Sequence, residues 1–190
     1  MSNFNTSGLL QALDRIKPDL KPLPQHFITC QDQHTRELYA TLLATVLLSD
    51  GQVSEPQSRL FGMLLQSMQL EPVPARFFEL AQQLDAGQLK SVISGIQPVG
   101  QSFALDALIL ARLSSPLNQQ QLQLIAELFD ALEIGQDITS ITEATAFVLG
   151  LGDSLESSEI DFSITSKSPI LQELWNHSDV DYAFNNQWIA

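Results

Sequence analysis

The chain has 190 residues, of which 44% are hydrophobic and 16% charged, so it can form a core and is not disordered throughout. This length suits one domain, or one domain with additional tails. Its 22 Asp and Glu against 9 Lys and Arg give a net charge of −13. Such a chain repels phosphate groups, so we expect neither a nucleic-acid partner nor direct binding to an anionic membrane.

Features of the chain that bear on its location favour the cytoplasm. The single cysteine, Cys30, excludes an intrachain disulfide and suits a reducing compartment. Residues 1–8 lack the pattern of a secretory signal, and the longest apolar stretch, residues 42–48, is too short to span a bilayer. We therefore expect a cytoplasmic protein without a transmembrane segment, for which peripheral membrane association is possible only through a partner.

The N-terminal third begins with a short predicted helix over residues 7–16, capped by Ser7. Three prolines in residues 17–24 then predict an extended connector, and residues 26–30 are ambiguous between extended and helical. From residue 33 the apolar residues cover most of a helix circumference, which is typical of a central helix in a bundle. Gly51 is expected to end that helix in the left-handed conformation.

Two capping boxes mark later helix starts. Ser54 with Gln57 opens one helix, and Asn118 with Gln121 opens another. Between and after them, apolar periodicity predicts further helices, over residues 77–84, 89–96, 103–113 and 141–151. We expect Pro98 and Gly100 to end the helix that precedes them, and Cys30 to be a small buried residue.

The pattern as a whole predicts an all-α fold, a compact bundle of about seven to nine helices. The chain divides into an N-terminal helix and connector (1–24), the bundle (25–152) and an acidic C-terminal extension (153–190). Only residues 160–165 alternate in a way that could suit a strand.

The chain contains an internal similarity between residues 39–70 and residues 103–134. Apolar positions of the first segment match apolar positions of the second, and the cap Ser54 matches the cap Asn118. Val53 and Leu117, each one residue before its cap, stand at the hydrophobic-staple position. We expect two related helical hairpins that pack together with pseudo-two-fold character, although two amphipathic hairpins can also match by chance.

Residues 42–61, which contain Asp50-Gly-Gln-Val-Ser54, resemble the first hairpin of the tellurite-resistance TerB-like family. The resemblance covers roughly residues 32–151. It implies an all-helical fold of two related halves, a role in stress responses and membrane-associated complexes, and a divalent cation at the acidic loop residues. Position 57, where the family has an acid, is Gln57 here, and the second hairpin has Ser114 and Ser115 in place of Asp and Gly.

Asp50 and Glu55 are the candidate metal ligands. With loop carbonyls they could bind a hard divalent cation, the one cofactor that the chain suggests. The alternative is structural, since Asp50 suits a turn and Glu55 favourably faces the N-terminus of the following helix.

Other arrangements of reactive residues are weaker. His26, Cys30 and His34 are spaced to share a helix face and could bind zinc, but they supply only three ligands. No nucleophile motif or phosphate-binding loop is present, so we predict no catalytic residue and no enzymatic activity.

The C-terminal extension combines acids with aromatic residues. It holds both tryptophans of the chain, and Pro169 can start a short helix there. The extension either docks on the bundle or recognises a basic protein partner. The candidate partner-binding residues are Trp175, Tyr182, Phe184 and Trp188.

Together these observations favour a non-catalytic protein-interaction or accessory module, associated with a stress response, that binds a protein partner. The alternative is a divalent-cation-binding stress protein of the tellurite-resistance type.

Overall fold

The computed structural model of the chain describes residues 23–113, 116–135, 138–148 and 167–170, and these contain helices and no strand. The predicted all-α class is thus confirmed. Within these ranges, none of the helices has both the length and the apolar character that crossing a bilayer requires. The elements in chain order are a 3₁₀ turn (Phe27–Cys30), α1 (Gln33–Leu48), α2 (Glu55–Ser67), α3 (Pro74–Gln82), α4 (Ala86–Ile96), a 3₁₀ turn (Gln97–Val99), α5 (Gly100–Arg112), α6 (Gln119–Ala131) and α7 (Ile138–Val148).

Local signals in the sequence place most helix ends. Ser54 and Asn118 both form complete capping boxes, with Gln57 and Gln121 respectively. Gly51 follows α1 with a φ of 80°, the left-handed conformation that was predicted. Each cap satisfies backbone N–H groups that have no partner within the helix, so these starts are fixed by nearby residues alone.

Helices α1 and α5 form the centre of the described structure. In α1, residues 39–44, 46 and 47 are buried, and in α5 every residue from 102 to 111 is buried. Helices α3, α4 and α5 pack against α1, and α7 packs against α5. In addition α2 contacts α5, and α6 contacts both α1 and α5.

The ends of α2 and α6 have the same geometry, at positions that match in the sequence similarity between residues 39–70 and 103–134. Gln69 and Glu133 have φ values of 59° and 58°, the only non-glycine residues with positive φ in the described chain. The N–H of Leu70 donates to the carbonyl of Leu65, and a corresponding bond joins Ile134 to Phe129. Both ends are therefore Schellman motifs, which close a helix with a left-handed residue.

Four predictions about the elements need correction or lie outside the described residues. Gly100 does not end a helix but begins α5, because the 3₁₀ turn joins α4 directly to α5. A Cβ at Gly100 would stand 3.1 Å from Cγ2 of Ile134, so the absence of a side chain permits this close approach. The predicted helix over residues 7–16, the stretch 160–165 and the end of the helix predicted to reach Leu151 lie outside the described residues.

Candidate functional site

The most unusual group in the core is the carboxylate of Asp106, in the middle of α5 and fully buried. Its Oδ2 atom accepts hydrogen bonds from the Tyr39 hydroxyl at 2.7 Å and from Nε2 of His26 at 2.8 Å. Its Oδ1 atom accepts one from the Ser168 hydroxyl at 2.5 Å. These four residues, all with 0% exposure, are called the Asp106 cluster below.

The geometry around His26 fixes where its proton lies. Nδ1 accepts a hydrogen bond from the backbone N–H of Ile28 at 3.1 Å, so that nitrogen carries no hydrogen. Nε2 must then be the protonated nitrogen that donates to Asp106, and the imidazole is neutral in this arrangement. The backbone N–H of His26 also donates to the carbonyl of Ser67, which holds the segment against the end of α2.

Tyr39 is held in its neutral form. Burial raises the pKa of its hydroxyl well above the usual value, and the negative charge of Asp106 and the hydrogen bond to it act in the same direction. The ring packs edge-to-face against Phe103, with centroids 5.6 Å apart, and against His26 at 5.3 Å. Tyr39 thus acts as a hydrogen-bond donor and a packing residue.

The composition of the Asp106 cluster suggests a catalytic triad, but its geometry does not match one. Ser168 donates to the carboxylate, and both nitrogens of His26 are already engaged, so no base is available to activate the Ser168 hydroxyl. What the arrangement does is join four parts of the chain: the segment before α1, α1 itself, α5 and the start of the C-terminal residues.

A cleft of about 650 Å³ lies next to the Asp106 cluster. Phe27, one residue from His26, lines the cleft and is 37% exposed. The ammonium of Lys167 donates to the side chain of Gln101, and both residues also line the cleft. The apolar residues of the lining are Phe27, Pro98, Val99, Leu132 and Ile134. A smaller cavity, of about 230 Å³, lies at the other end of the described chain beside Leu23.

The predicted metal ligands lie at the loop of the first hairpin. Asp50 and Glu55 are both exposed, Asp50 in the turn after α1 and Glu55 in the first turn of α2. The side-chain amide of Asn118, the cap of α6, donates to Asp50 at 2.5 Å, so the loops of the two hairpins meet here. The described part of the chain contains no group of three or more His, Cys, Asp and Glu side chains placed to hold a metal ion.

The other predicted ligand set is not brought together. His26 is buried in the Asp106 cluster, whereas Cys30 and His34 are exposed. The expectation that Cys30 is buried was therefore wrong. A 3₁₀ turn has three residues per turn, so Cys30 lies on the same outward side as Phe27, while Ile28 points into the core.

Sequence reasoning missed Asp106, although it carried a signal. It is the one acid in an otherwise apolar run from Phe103 to Ala111, and a charged residue in such a run is rarely left without partners. The predicted partner-binding residues of the extension, from Trp175 to Trp188, lie outside the described residues. The structure does include Lys167–Ile170 of the extension, of which Ser168, Pro169 and Ile170 are buried against the bundle.

No family model, no curated protein and no solved structure matches this chain. Its function is therefore inferred from the Asp106 cluster, the adjacent cleft and the chemistry of the C-terminal extension.

Proposed function

We propose that this protein is a non-catalytic interaction module of the cytoplasm, an accessory component in a stress response. The observation that carries the proposal is the Asp106 cluster. In this cluster the titratable side chains of His26, Tyr39 and Asp106 are buried, and the hydrogen bond from Ser168 to Asp106 attaches Ser168 to α5. The residues that follow thus start next to a point fixed on a helical scaffold, and this supports a recognition segment rather than a reaction centre.

The partner that fits the extension is a protein with a basic, partly apolar groove. The extension carries seven acids and a single lysine, and its aromatic residues are of the types that dominate binding energy in interfaces. An acidic segment of this kind does not favour nucleic acid or an anionic membrane, so any membrane association proceeds through the partner.

We further infer that the two hairpins are an internal repeat and that the chain is related to the TerB-like family. The matching Schellman motifs, the paired capping boxes and the reciprocal packing of α2 on α5 and α6 on α1 support the repeat. The starts of α3 at Pro74 and α7 at Ile138 are separated by the same offset as the two caps, which extends the correspondence to a third helix. The helical class and the Asp50–Ser54 turn support the family.

Affinity purification of the full chain tests the proposed function. A variant with Trp175, Tyr182, Phe184 and Trp188 all replaced by Ala should lose the partner, since these side chains would supply most of the contact energy. A control with Leu80 and Leu122 replaced by Ala removes exposed apolar residues of the bundle and should keep it. Equal recovery of the partner with both variants, or no partner with the native chain, would contradict the proposal.

The second candidate function is binding of a divalent cation at Asp50 and Glu55. The contact between Asp50 and Asn118 favours it, because it brings together the two loops that such a site would use. Titration of Ca²⁺ and Mg²⁺ into the full chain, followed by NMR, should perturb the two loops. The perturbation should disappear with Asp50→Asn plus Glu55→Gln and persist when the exposed Glu71 and Glu79 are changed to Gln. No perturbation in the native chain would reject this candidate.

A further inference from the structure

The cleft beside the Asp106 cluster lies where the described C-terminal residues enter the core. Lys167 lines the cleft, and within the next three residues Ser168 bonds to Asp106 and Ile170 is buried at 1% exposure. The chain is therefore fixed at the edge of this cleft. Whatever follows Ile170 starts next to an open surface that is partly apolar and partly polar.

The residues that follow, 171–190, are called the tail here, and they have the composition to fill such a surface. Leu171, Leu174 and Trp175 follow the spacing of one helix face, and Pro169 and Ile170 already have helical backbone. Trp175 lies five residues beyond Ile170, within about 8 Å along a helix or about 17 Å along an extended chain. Because the tail is tethered, its effective concentration at the cleft is about millimolar, so docking does not require the affinity that two separate molecules would need.

The N-terminal residues are a less suitable occupant of the cleft. The described chain begins at Leu23, and Leu23 lines the smaller cavity, together with Met63 and Gln66. Residues 1–22 thus start from that cavity, whereas the tail starts from the larger cleft.

We propose that the cleft lined by Phe27, Val99, Leu132 and Ile134 is the docking site for the chain's own tail, with Trp175 as the first aromatic residue to enter it. In the resting protein the tail covers the cleft, and a partner that recognises the tail must compete with this contact. The competition rests on the function proposed above, whereas the docking does not.

The two tryptophans report directly on this docking, because both lie in the tail. In the full chain without any partner, docking should give a blue-shifted emission and slow quenching by acrylamide. The cleft has one cation, Lys167, and one carboxylate, Glu133, among its lining residues, so its charges balance and docking should persist in high salt. Emission typical of exposed tryptophan in the native chain would overturn the proposal.

Matched variants show whether the cleft is the site. Phe27→Ser removes the exposed aromatic side chain of the lining and should raise the quenching constant severalfold with a red shift of the emission. Leu80→Ser is the control, because Leu80 is also 37% exposed but does not line the cleft, and it should leave both signals unchanged. If Phe27→Ser fails to fold by circular dichroism, Pro98→Asp places a charge at another exposed lining position and should have the same effect on the emission.

Two further results distinguish docking within one chain from docking in a second copy, and the docking proposal from the proposed function. Protection that depends on protein concentration and accompanies a doubled mass in light scattering would show docking in a second copy, and would overturn docking within one chain. Equal quenching in Phe27→Ser and Leu80→Ser would overturn the proposal that this cleft is the docking site. Failure to recover a partner bears only on the proposed function, since the fluorescence measurement contains no partner.

Discussion

At the scale of single residues, Asp106 is a buried carboxylate whose removal from water costs free energy, but both of its oxygens accept hydrogen bonds. An ionised carboxylate removed from water costs several kcal/mol unless its lone pairs are occupied. Three donors, from Tyr39, His26 and Ser168, occupy them at 2.5–2.8 Å. The carboxylate in turn is the shared acceptor of these three buried donors, so removing one member of the cluster affects all the others.

Replacement of Asp106 by Ala should therefore be strongly destabilising. It removes the acceptor that Tyr39, His26 and Ser168 share in the interior, and we expect a loss of about 3 kcal/mol or more in the free energy of unfolding. Urea denaturation followed by circular dichroism measures it. The control Asp130→Ala removes an exposed acid from α6 and should change stability by less than about 0.5 kcal/mol. Similar midpoints for both variants would contradict the role assigned to the cluster.

The raised pKa of Tyr39 leads us to expect a loss of stability at alkaline pH. Its pKa is raised in the folded protein, while in the unfolded chain it deprotonates near the ordinary value of 10. Above that pH the unfolded state binds fewer protons than the folded state, so stability falls as pH rises further. Tyr39→Phe should be less stable near neutral pH, because one hydrogen bond to Asp106 is lost, but its stability should fall less between pH 9 and about pH 11. Urea denaturation at each pH measures the free energy of unfolding. An equal decrease with pH in the native chain and in Tyr39→Phe would refute the role of Tyr39 in this loss.

At the scale of elements, the sequence predicted what neighbouring residues determine. The caps at Ser54 and Asn118 and the left-handed Gly51 depend on contacts within a few residues, so their side chains reveal them. The start of α5 at Gly100 depends instead on close approach to Ile134, which lies beyond α6 in the sequence, and no local pattern contains that information.

The two capping glutamines differ in a way that only the tertiary structure reveals. Gln57 and Gln121 are both buried, and Nε2 of Gln57 donates to the carbonyl of Leu110 at 3.0 Å. The carbonyl that corresponds to it in the other hairpin belongs to Val46, and this one already accepts two hydrogen bonds from Ser49. Nε2 of Gln121 accordingly has no hydrogen-bond partner among the described residues.

Substitution of the two glutamines by Met should therefore have unequal effects. Both variants lose the side-chain half of a capping box. Gln57→Met also leaves a buried carbonyl without its donor, whereas Gln121→Met removes a buried Nε2 group that has no hydrogen-bond partner among the described residues. We expect Gln57→Met to cost about 1–2 kcal/mol more than Gln121→Met, measured as the difference between their urea unfolding free energies. Each variant is the control for the other, and equal costs would argue against the asymmetry.

At the scale of the whole molecule, the Asp106 cluster shows why the site was harder to predict than the helices. It joins residues 67 and 80 positions apart in sequence, and a fourth from the C-terminal extension, so its members share no spacing that a motif could express. Asp106 within an apolar helix indicated that buried partners must exist. Which of the chain's histidines, tyrosines and serines they are depends on how α1, α5 and both flanking segments pack.

The attachment of the extension can be tested through its single tryptic site. Lys167 is the only Lys or Arg after Arg112, so cleavage there releases residues 168–190 as one fragment. Ser168→Asp places a second carboxylate against that of Asp106 in a buried site, and repulsion should expel Lys167–Ile170 and speed this cleavage severalfold. Ser91→Asp adds the same charge at an exposed position of α4 and should leave the rate unchanged. If both variants release the fragment at the native rate, as followed by mass spectrometry, Ser168 does not hold the extension to the core.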